Sequence, residues 1–288
     1  MDQLSIESAL TDLHLPALRY NDRLDSTNAE AWRWLEAGGP DRALVVADEQ
    51  TAGRGRAGRH WVTASGSALA FSLLLLAPPL DPQRLPRLTG LGALSVVSAL
   101  EAKFALPAWI KWPNDILVDG RKVGGVLVEA LWSGEKLEAA VVGIGINIAP
   151  ESVSAAILPP AGLNYPATCV EDATGYPVDR LEVLHAILHE MLVTWLSRLS
   201  LPEFMHAWEA KLAFLDQWVE LSAGGPLGMP GLLNRGEPGS KDRLAGRLVG
   251  LTEDGALKLI DMSGKLVSVA VGELHLRPAL IKDSTPPE

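Results

Sequence analysis

The stretch AWIKWPNDILVDGRKVGGVLVEALW, residues 108–132, carries the clearest β-sheet signal in the chain. Its apolar runs are separated by Asp119-Gly120, a pair that is typical of the turn between two strands. A further apolar run, EAAVVGIGINI at 138–148, follows after a short polar interval. The middle of the chain therefore predicts a set of strands.

Toward the N-terminus, strand and helix patterns alternate. A strand followed by a helix, two further strands and a second helix are predicted there, at 18–39, 42–50, 67–76 and 85–104. In the first segment we expect Ser26 or Thr27 to cap the helix by accepting a bond from a free backbone N–H group. Gly38-Gly39 is expected to end that helix.

Toward the C-terminus, helical patterns at 179–199 and 202–212 give way to a different composition near residue 215. Short apolar strands then alternate with Gly-containing turns over 243–278, which is typical of a small all-β domain. We therefore predict two domains, 1–214 and 215–288.

The second domain contains a segment of unusual composition at 224–239. Nine of its sixteen residues are Gly or Pro, which predicts an inserted loop. Surface insertions of this kind cost little free energy. We expect the segment to be tolerated rather than functional.

The composition narrows the function classes. The chain has 288 residues, of which 48% are hydrophobic and 21% charged, so it can bury a large core. Its net charge of −10 argues against a general nucleic-acid binder. The single Cys169 excludes an intramolecular disulfide. The most hydrophobic run, 68–80, is shorter than the roughly 20 residues of a membrane span, so we expect no membrane insertion and a cytoplasmic location.

A basic loop, TAGRGRAGRHW at 51–61, stands out in this acidic chain. Its glycines match the G-x-G-x-x-G pattern, but no helix follows and no acidic residue appears before Asp81, so a dinucleotide site is disfavoured. A P-loop is disfavoured as well, because Arg59-His60 replaces the Lys-Ser/Thr pair. The alternatives are a solvated surface loop and an anion-binding lid. We favour the lid, because its three arginines would repel one another without an anion.

Charged and glycine residues in the central strands could serve the same anion. Asp115, after Pro113, either caps a turn or supports a phosphate-bound Mg²⁺. Lys122 is either an edge lysine or a cation that faces a ligand. The adjacent Gly124-Gly125 favours the second interpretation, since a ligand can approach the backbone closely there.

Five segments, taken together, resemble the biotin–protein ligases: DSTN, ADEQTAGRGRAGRHW, KWPNDI, RKVGGVLVE and GIGIN. The resemblance covers about residues 19–212. It implies an α+β fold, with a mixed β-sheet catalytic domain of the biotin/lipoate ligase type and a small C-terminal SH3-like β-barrel. It also implies a two-step reaction, in which biotin and ATP form biotinyl-5′-AMP and the biotin then passes to a lysine.

The resemblance also implies roles for individual residues. Lys122, Arg54 and Arg56 would be the catalytic cations, and Asp115 would support the Mg²⁺ that accompanies ATP. Contacts to the nucleotide are expected at Arg59, Trp61 and Asn147. Contacts to biotin are expected at Ser26, Thr27, Asn28, Gln50, Gly53, Arg54, Gly55, Arg56, Lys122 and Gly125.

The partner that the resemblance implies is a biotin carboxyl carrier protein with an acceptor lysine. Repressor members of the family carry an N-terminal winged helix, whereas only about eighteen residues precede the first predicted strand here. We therefore expect the monofunctional type, without sequence-specific DNA binding. A monomer and a homodimer are both compatible with the resemblance.

Two alternative functions stay open at this point. A lipoate–protein ligase uses the same adenylation chemistry on a related fold, but it would lack the combination of G-R-G-R-x-G-R with K-W-P-N-D. A non-enzymatic module could use the basic loop to bind an anion or a nucleic acid. The net charge of −10 disfavours a nucleic acid as the ligand.

Overall fold

The computed structural model describes residues 1–61, 63–78, 80–154, 166–223, 243–270 and 274–278. Within these ranges, none of the helices is long and apolar enough to cross a membrane. The predicted Gly/Pro-rich insertion at 224–239 lies outside the described residues.

The predicted helices and strands occur in the predicted order, and three short helices that the sequence analysis did not predict are added to them, at 3–9, 150–154 and 170–174. The helices are α1 (Gln3–Ala9), α2 (Thr27–Glu36), α3 (Pro86–Phe104), α4 (Pro150–Ser154), α5 (Val170–Thr174), α6 (Arg180–His189) and α7 (Pro202–Ala210). The strands are β1 (Leu18–Leu24), β2 (Leu44–Gln50), β3 (Ala68–Leu76), β4 (Trp109–Lys111), β5 (Asp115–Val118), β6 (Arg121–Ser133), β7 (Lys136–Asn147), β8 (Trp218–Ala223), β9 (Arg243–Leu251), β10 (Leu257–Asp261), β11 (Leu266–Val269) and β12 (Leu274–Pro278).

Seven strands form a mixed sheet in the order β1-β2-β3-β7-β6-β5-β4. The β1–β2 pair is parallel and the other neighbours are antiparallel. The strands β8 to β12 form a second, small antiparallel sheet in the order β11-β10-β9-β8-β12. The α+β class and the mixed sheet are therefore as predicted from the sequence.

The two faces of the large sheet have different coverings. One face packs against α3, where Gly92 lies so close to β6 and β7 that an added Cβ would approach Val126 to 2.9 Å and Val142 to 3.2 Å. On the other face, Ala31 and Trp34 of α2 pack in a smaller cluster with β2, β3 and β7. Burial on both faces explains why β3 and β7 are almost continuously apolar.

The start of α2 differs from the predicted cap. Ser26 has the extended conformation of an N-cap residue, but its side chain makes no capping hydrogen bond. Instead, the Thr27 backbone N–H donates to Oε1 of Gln50 at 2.8 Å. Gln50 lies at the end of β2, the strand that pairs with β1. Its side-chain oxygen therefore accepts from the free N–H in place of a capping side chain from α2 itself. The predicted helix end is confirmed, since Gly38 follows the helix with φ of +81°.

The second sheet is hydrogen-bonded to the first through a turn. The indole N–H of Trp112 donates to the carbonyl of Gly255 at 3.1 Å. The Arg87 guanidinium, which is buried on α3, donates to the carbonyl of Glu253 at 2.9 Å. The segment K-W-P-N-D connects β4 to β5. Its Trp112 is therefore held in place by a turn of the second sheet.

Candidate active site

A pocket opens on the large sheet beside the N-terminal end of α2, with the basic loop on its rim. The structure brings most of the predicted site residues into its lining. These are Ser26, Thr27, Asn28, Gln50, Arg54, Gly55, Arg56, Arg59, Trp61, Lys122 and Gly125. Gly53, Asp115 and Asn147 lie outside the lining.

The floor of the pocket consists of glycines on β6 and β7. Because side chains alternate along a strand, Gly143 and Gly145 of the segment GIGIN present the same face. A Cβ on Gly143 would lie 2.0 Å from Oδ1 of Asn28, and one on Gly145 would lie 2.4 Å from the Trp61 ring. These two glycines thus make room for the side chains of Asn28 and Trp61, which a larger residue at either position would displace.

Polar side chains behind the N-terminal end of α2 hold one another in place. Gln50 accepts from the Thr27 backbone through Oε1, and its Nε2 donates to the Thr63 hydroxyl at 3.1 Å. The fully buried Ser72 hydroxyl lies 2.7 Å from Oγ1 of Thr27 and 2.6 Å from Oδ1 of Asn28. The polar groups at this end of the pocket are therefore held in place by one another.

Ser72 was not predicted as a site residue. The only signal for it is a single hydroxyl within an apolar run, ALAFSLLLL at 68–76. A buried hydroxyl requires a hydrogen-bonding partner, but the sequence does not show that the partner lies on α2.

A triad of two lysines and one carboxylate lies at the opposite side of the pocket. Nζ of Lys122 lies 2.5 Å from Oδ1 of Asp115, and Nζ of Lys111 lies 3.2 Å from Oδ2. Burial opposes ionisation of Asp115, but the charges of Lys122 and Lys111 outweigh it and lower the pKa of that carboxyl to about 2. Burial lowers the pKa of Lys111, against the attraction of Asp115.

The triad fixes the position of one cation that lines the pocket. Lys122 reaches the lining, whereas Asp115 lies behind it. The carboxylate orients the ammonium group and also offsets part of the charge of two neighbouring lysines. The net charge of the triad is +1, which leaves an attraction for an anionic ligand.

The basic loop folds back on itself above the pocket. The Gly55 N–H donates to the Arg59 carbonyl at 2.7 Å, and the Trp61 N–H donates to the Gly53 carbonyl at 2.9 Å. The Arg54 guanidinium donates to Glu129 on β6 at 2.9 Å. The loop therefore brings arginine side chains to the same pocket as Lys122.

Trp61 turns its indole into the site. Its ring lies against Gly145, and Nζ of Lys122 is 5.8 Å from the ring centroid. The indole Nε1 is buried, and it has no hydrogen-bond partner among the described residues. Buried donors are nearly always paired, so this unpaired N–H is an exception within the site.

Asn147 ends β7 away from the lining, where its amide donates to the Thr168 carbonyl at 3.1 Å. Among the described residues, no group of three His, Cys, Asp or Glu side chains could hold a metal ion. Both carboxylate oxygens of Asp115 already contact lysine ammonium groups. The donor set therefore does not fit a metal ion held by the protein alone.

Comparison with known proteins agrees with the fold and the pocket. Residues 20–147 match the model of the biotin/lipoate A/B protein ligase family. A biotin–[acetyl-CoA-carboxylase] ligase from Paracoccus denitrificans is 37% identical over 207 residues, which are 70% of this chain and 83% of that protein. The structure of the biotin protein ligase from Aquifex aeolicus in complex with biotin and ATP is 32% identical, with a TM-score of 0.68 over 92% of this chain and 100% of that one.

These relations show that the chain belongs to the biotin protein ligases of the biotin/lipoate A/B protein ligase family. The resemblance found in the sequence is thereby confirmed. A bifunctional ligase/repressor BirA from Bacillus spizizenii is 39% identical over 171 residues, 59% of this chain. That match spans about half of the relative, 51% of its length.

Proposed function

We propose that this protein activates biotin with ATP to give biotinyl-5′-AMP, and then transfers the biotin to a lysine of a biotin carboxyl carrier protein. The observation that carries the proposal is the glycine-floored pocket between Lys122 and the basic loop. Biotin and ATP are both anions, so a site that joins them has to provide positive charge. The likeness to a ligase whose structure holds biotin and ATP supports this assignment.

In the first step, a carboxylate oxygen of biotin attacks the α-phosphorus of ATP, and the bond to the β-phosphate breaks with release of pyrophosphate. Lys122 would lie against the carboxylate and the α-phosphate, and it would stabilise the negative charge that concentrates there. Arg54 and Arg56 would draw the loop over both anions. Asp115 would hold the Lys122 ammonium group in place.

In the second step, the neutral amine of the acceptor lysine attacks the carbonyl carbon of the mixed anhydride. AMP leaves with the electron pair of the broken C–O bond, and the amine loses a proton. Because water would hydrolyse the anhydride, the loop that orders over the pocket also has to exclude water. Arg59 and Trp61, both in this loop, would contact the nucleotide.

The ring of biotin would lie at the α2 end of the pocket. Ser26, Thr27, Asn28 and Gln50 offer hydroxyl, amide and backbone groups there. Gly125 would allow the acid to lie close to the sheet. The roles of Gly53 as part of the loop backbone and of Asn147 near the nucleotide stay predictions.

We expect Mg²⁺ to accompany ATP in this reaction. Two lysines pair with Asp115, so this carboxylate is a poor direct ligand for a divalent cation. Phosphate oxygens and water are the usual further ligands of Mg²⁺. We therefore propose that Mg²⁺ reaches the site on the phosphates, and that Asp115 acts through the two lysines.

We further propose that residues 1–214 form the catalytic domain and that 215–288 form the SH3-like β domain. The small antiparallel sheet of β8 to β12 supports the second part. A cytoplasmic location and the absence of sequence-specific DNA binding stay predictions, and both a monomer and a homodimer stay compatible with the proposal.

The test is biotin-dependent exchange of labelled pyrophosphate into ATP, with lipoate as the competing acid. We expect exchange with biotin alone, and a loss of about 10²–10³-fold in Lys122→Ala, which is typical for one charge-stabilising donor. Arg56→Ala should also lose exchange. Lys103→Ala, at an exposed position on α3, is the matched control and should keep it.

The alternatives predict different results. Exchange with lipoate instead of biotin would assign the chain to lipoate activation, against its closer likeness to biotin ligases. No exchange with either acid would overturn the proposed enzyme. It would favour a binding module, whose affinity for a polyanion should fall steeply as salt is added.

A further inference from the structure

Glu129, on β6, joins the two halves of the pocket although it is not part of the lining. Its Oε2 accepts from Nδ2 of Asn28 at 2.8 Å and from Nη2 of Arg54 at 2.9 Å. One carboxylate oxygen thus connects the α2 end of the pocket with the basic loop. Glu129 ends the segment RKVGGVLVE, but neither the resemblance nor the proposed reaction gives this residue a role.

Both the nitrogen and the oxygen of the Asn28 side-chain amide are hydrogen-bonded. Its Nδ2 donates to Glu129 and lies 3.3 Å from the Leu127 carbonyl, while its Oδ1 accepts from the buried Ser72 hydroxyl. The side chain is almost fully buried. A chain of hydrogen bonds therefore runs from β3 through Asn28 to Glu129, and its last member reaches the loop.

Arg54 is the loop residue that this chain reaches. The backbone bonds of Gly55 and Trp61 close the loop on itself. The Arg54–Glu129 pair instead ties the loop to the sheet. The side chains of Arg54 and Glu129 are 43% and 28% exposed, so their attraction is weak and sensitive to salt.

We propose that Glu129 is a positioning residue, which holds Asn28 and Arg54 in their working geometry before any ligand binds. The proposal rests on the proposed function, because it places the carboxylate between the expected ring contact and the expected phosphate contact. Groups that are ordered in advance lose less entropy when the ligand arrives. Glu129 therefore favours binding of the acid and closure of the loop, without touching the reacting atoms.

The first measurement needs no activity. Trypsin cleaves after Arg56 and Arg59 only when the loop leaves its folded geometry, and mass spectrometry identifies these cuts. In the ligand-free protein, Glu129→Gln should raise their rate about two- to five-fold, as for loss of one partly exposed ion pair. Added salt should raise the rate of the wild type toward that of the variant. Glu138→Gln, at an exposed position on β7, is the matched control and should match the wild type.

The second measurement is pyrophosphate exchange. Glu129→Gln should raise the KM for biotin several-fold and change kcat much less, because Lys122 stays in place and the bound phosphates then hold Arg54. Saturating biotin and ATP should slow the loop cleavage of the variant to the wild-type rate. A general loss of structure would not raise the KM for biotin while leaving kcat nearly unchanged.

Three outcomes would overturn the proposal: equal cleavage rates in the wild type and Glu129→Gln, an unchanged KM for biotin, or a lower KM, which would make the pair an inhibitory contact. If Glu129→Gln does not fold, Arg54→Gln should show the faster cleavage after Arg56 and Arg59, and its failure to do so counts against the proposal. If the wild type shows no exchange, the proposed function fails, and the cleavage comparison alone decides whether Glu129 holds the loop.

Discussion

At the scale of single residues, the proposed chemistry depends on a carboxylate that makes no contact with the pocket. Asp115 lies behind Lys122 and also pairs with Lys111, which is nearly buried. Two ammonium groups so close together would repel each other without it. The carboxylate therefore supports both the fold and the charge of the site.

We predict that Asp115→Asn destabilises the protein by roughly 3 kcal/mol, the usual cost of leaving a buried charge without its partner. Pyrophosphate exchange should fall as well, since Lys122 loses its anchor. Urea unfolding at pH 7 and the exchange assay measure the two effects. Asp119→Asn makes the same change in an exposed turn, and the two variants should differ in both assays.

The wild type and Asp115→Asn should also differ in how their stability depends on pH. The pKa of Asp115 in the folded protein, about 2, lies below its usual value of 3.8. Its ionisation therefore adds stability above about pH 4, and this contribution disappears as the pH falls toward 2. The difference in unfolding free energy between wild type and Asp115→Asn should shrink over this range. A difference independent of pH would contradict the assigned pairing.

The sequence identified most pocket residues but missed two of their supports. Arg54, Lys122 and Gly125 belong to motifs whose composition is unusual in itself. Ser72 and Glu129 acquire their roles from partners 44 to 101 residues away. Contacts over such separations depend on the strand order, which local patterns do not contain.

At the scale of elements, β6 and β7 combine a packed face with an open one. Val126 and Val142 face α3, whereas Gly125 and Gly143 face the pocket. The sequence predicted these strands correctly because their apolar runs are long. It did not predict that β3 pairs with β7, since α3 and three further strands intervene between them. The predicted cap of α2 was wrong for a related reason. The group that accepts from the free N–H of α2 belongs to Gln50, which lies on a separate strand.

We predict that Gly143→Ala lowers stability by about 1–3 kcal/mol, which is typical of overpacking. Its Cβ would overlap Oδ1 of Asn28, which three hydrogen-bond partners hold in place. Biotin affinity should fall too. Gly125→Ala is the matched variant, because its Cβ would meet Nζ of Lys122 at an ordinary 3.6 Å. Thermal unfolding of the ligand-free proteins should separate them, and equal midpoints would contradict the close approach.

At the scale of the whole molecule, the two sheets meet at one turn of the smaller sheet. Trp112 and Arg87 donate to carbonyls of that turn. Composition predicted a change of structure near residue 215, and β8 begins at Trp218. The hydrogen bond of Trp112 to Gly255 spans 143 residues, so no sequence pattern indicates it.

We predict that Trp112→Phe lowers the unfolding free energy by about 1–3 kcal/mol, because the Gly255 carbonyl loses a buried donor. The phenyl ring keeps most of the packing. Urea unfolding measures the change. Trp132→Phe, at a position 40% exposed, is the matched control. If the two variants have the same midpoint, the hydrogen bond from Trp112 to Gly255 does not contribute to stability.

The turn at Gly255 also limits how members of this family can be recombined. Gly255 has φ of +87°, and a Cβ there would approach the Trp208 ring to 2.9 Å. Its carbonyl must at the same time face the indole of Trp112. A chimera that receives its small sheet from another ligase would therefore need glycine at this turn and tryptophan at both facing positions. The boundary near residue 215 divides the chain by composition, but a graft made there alone would separate Gly255 from the two tryptophans that it contacts.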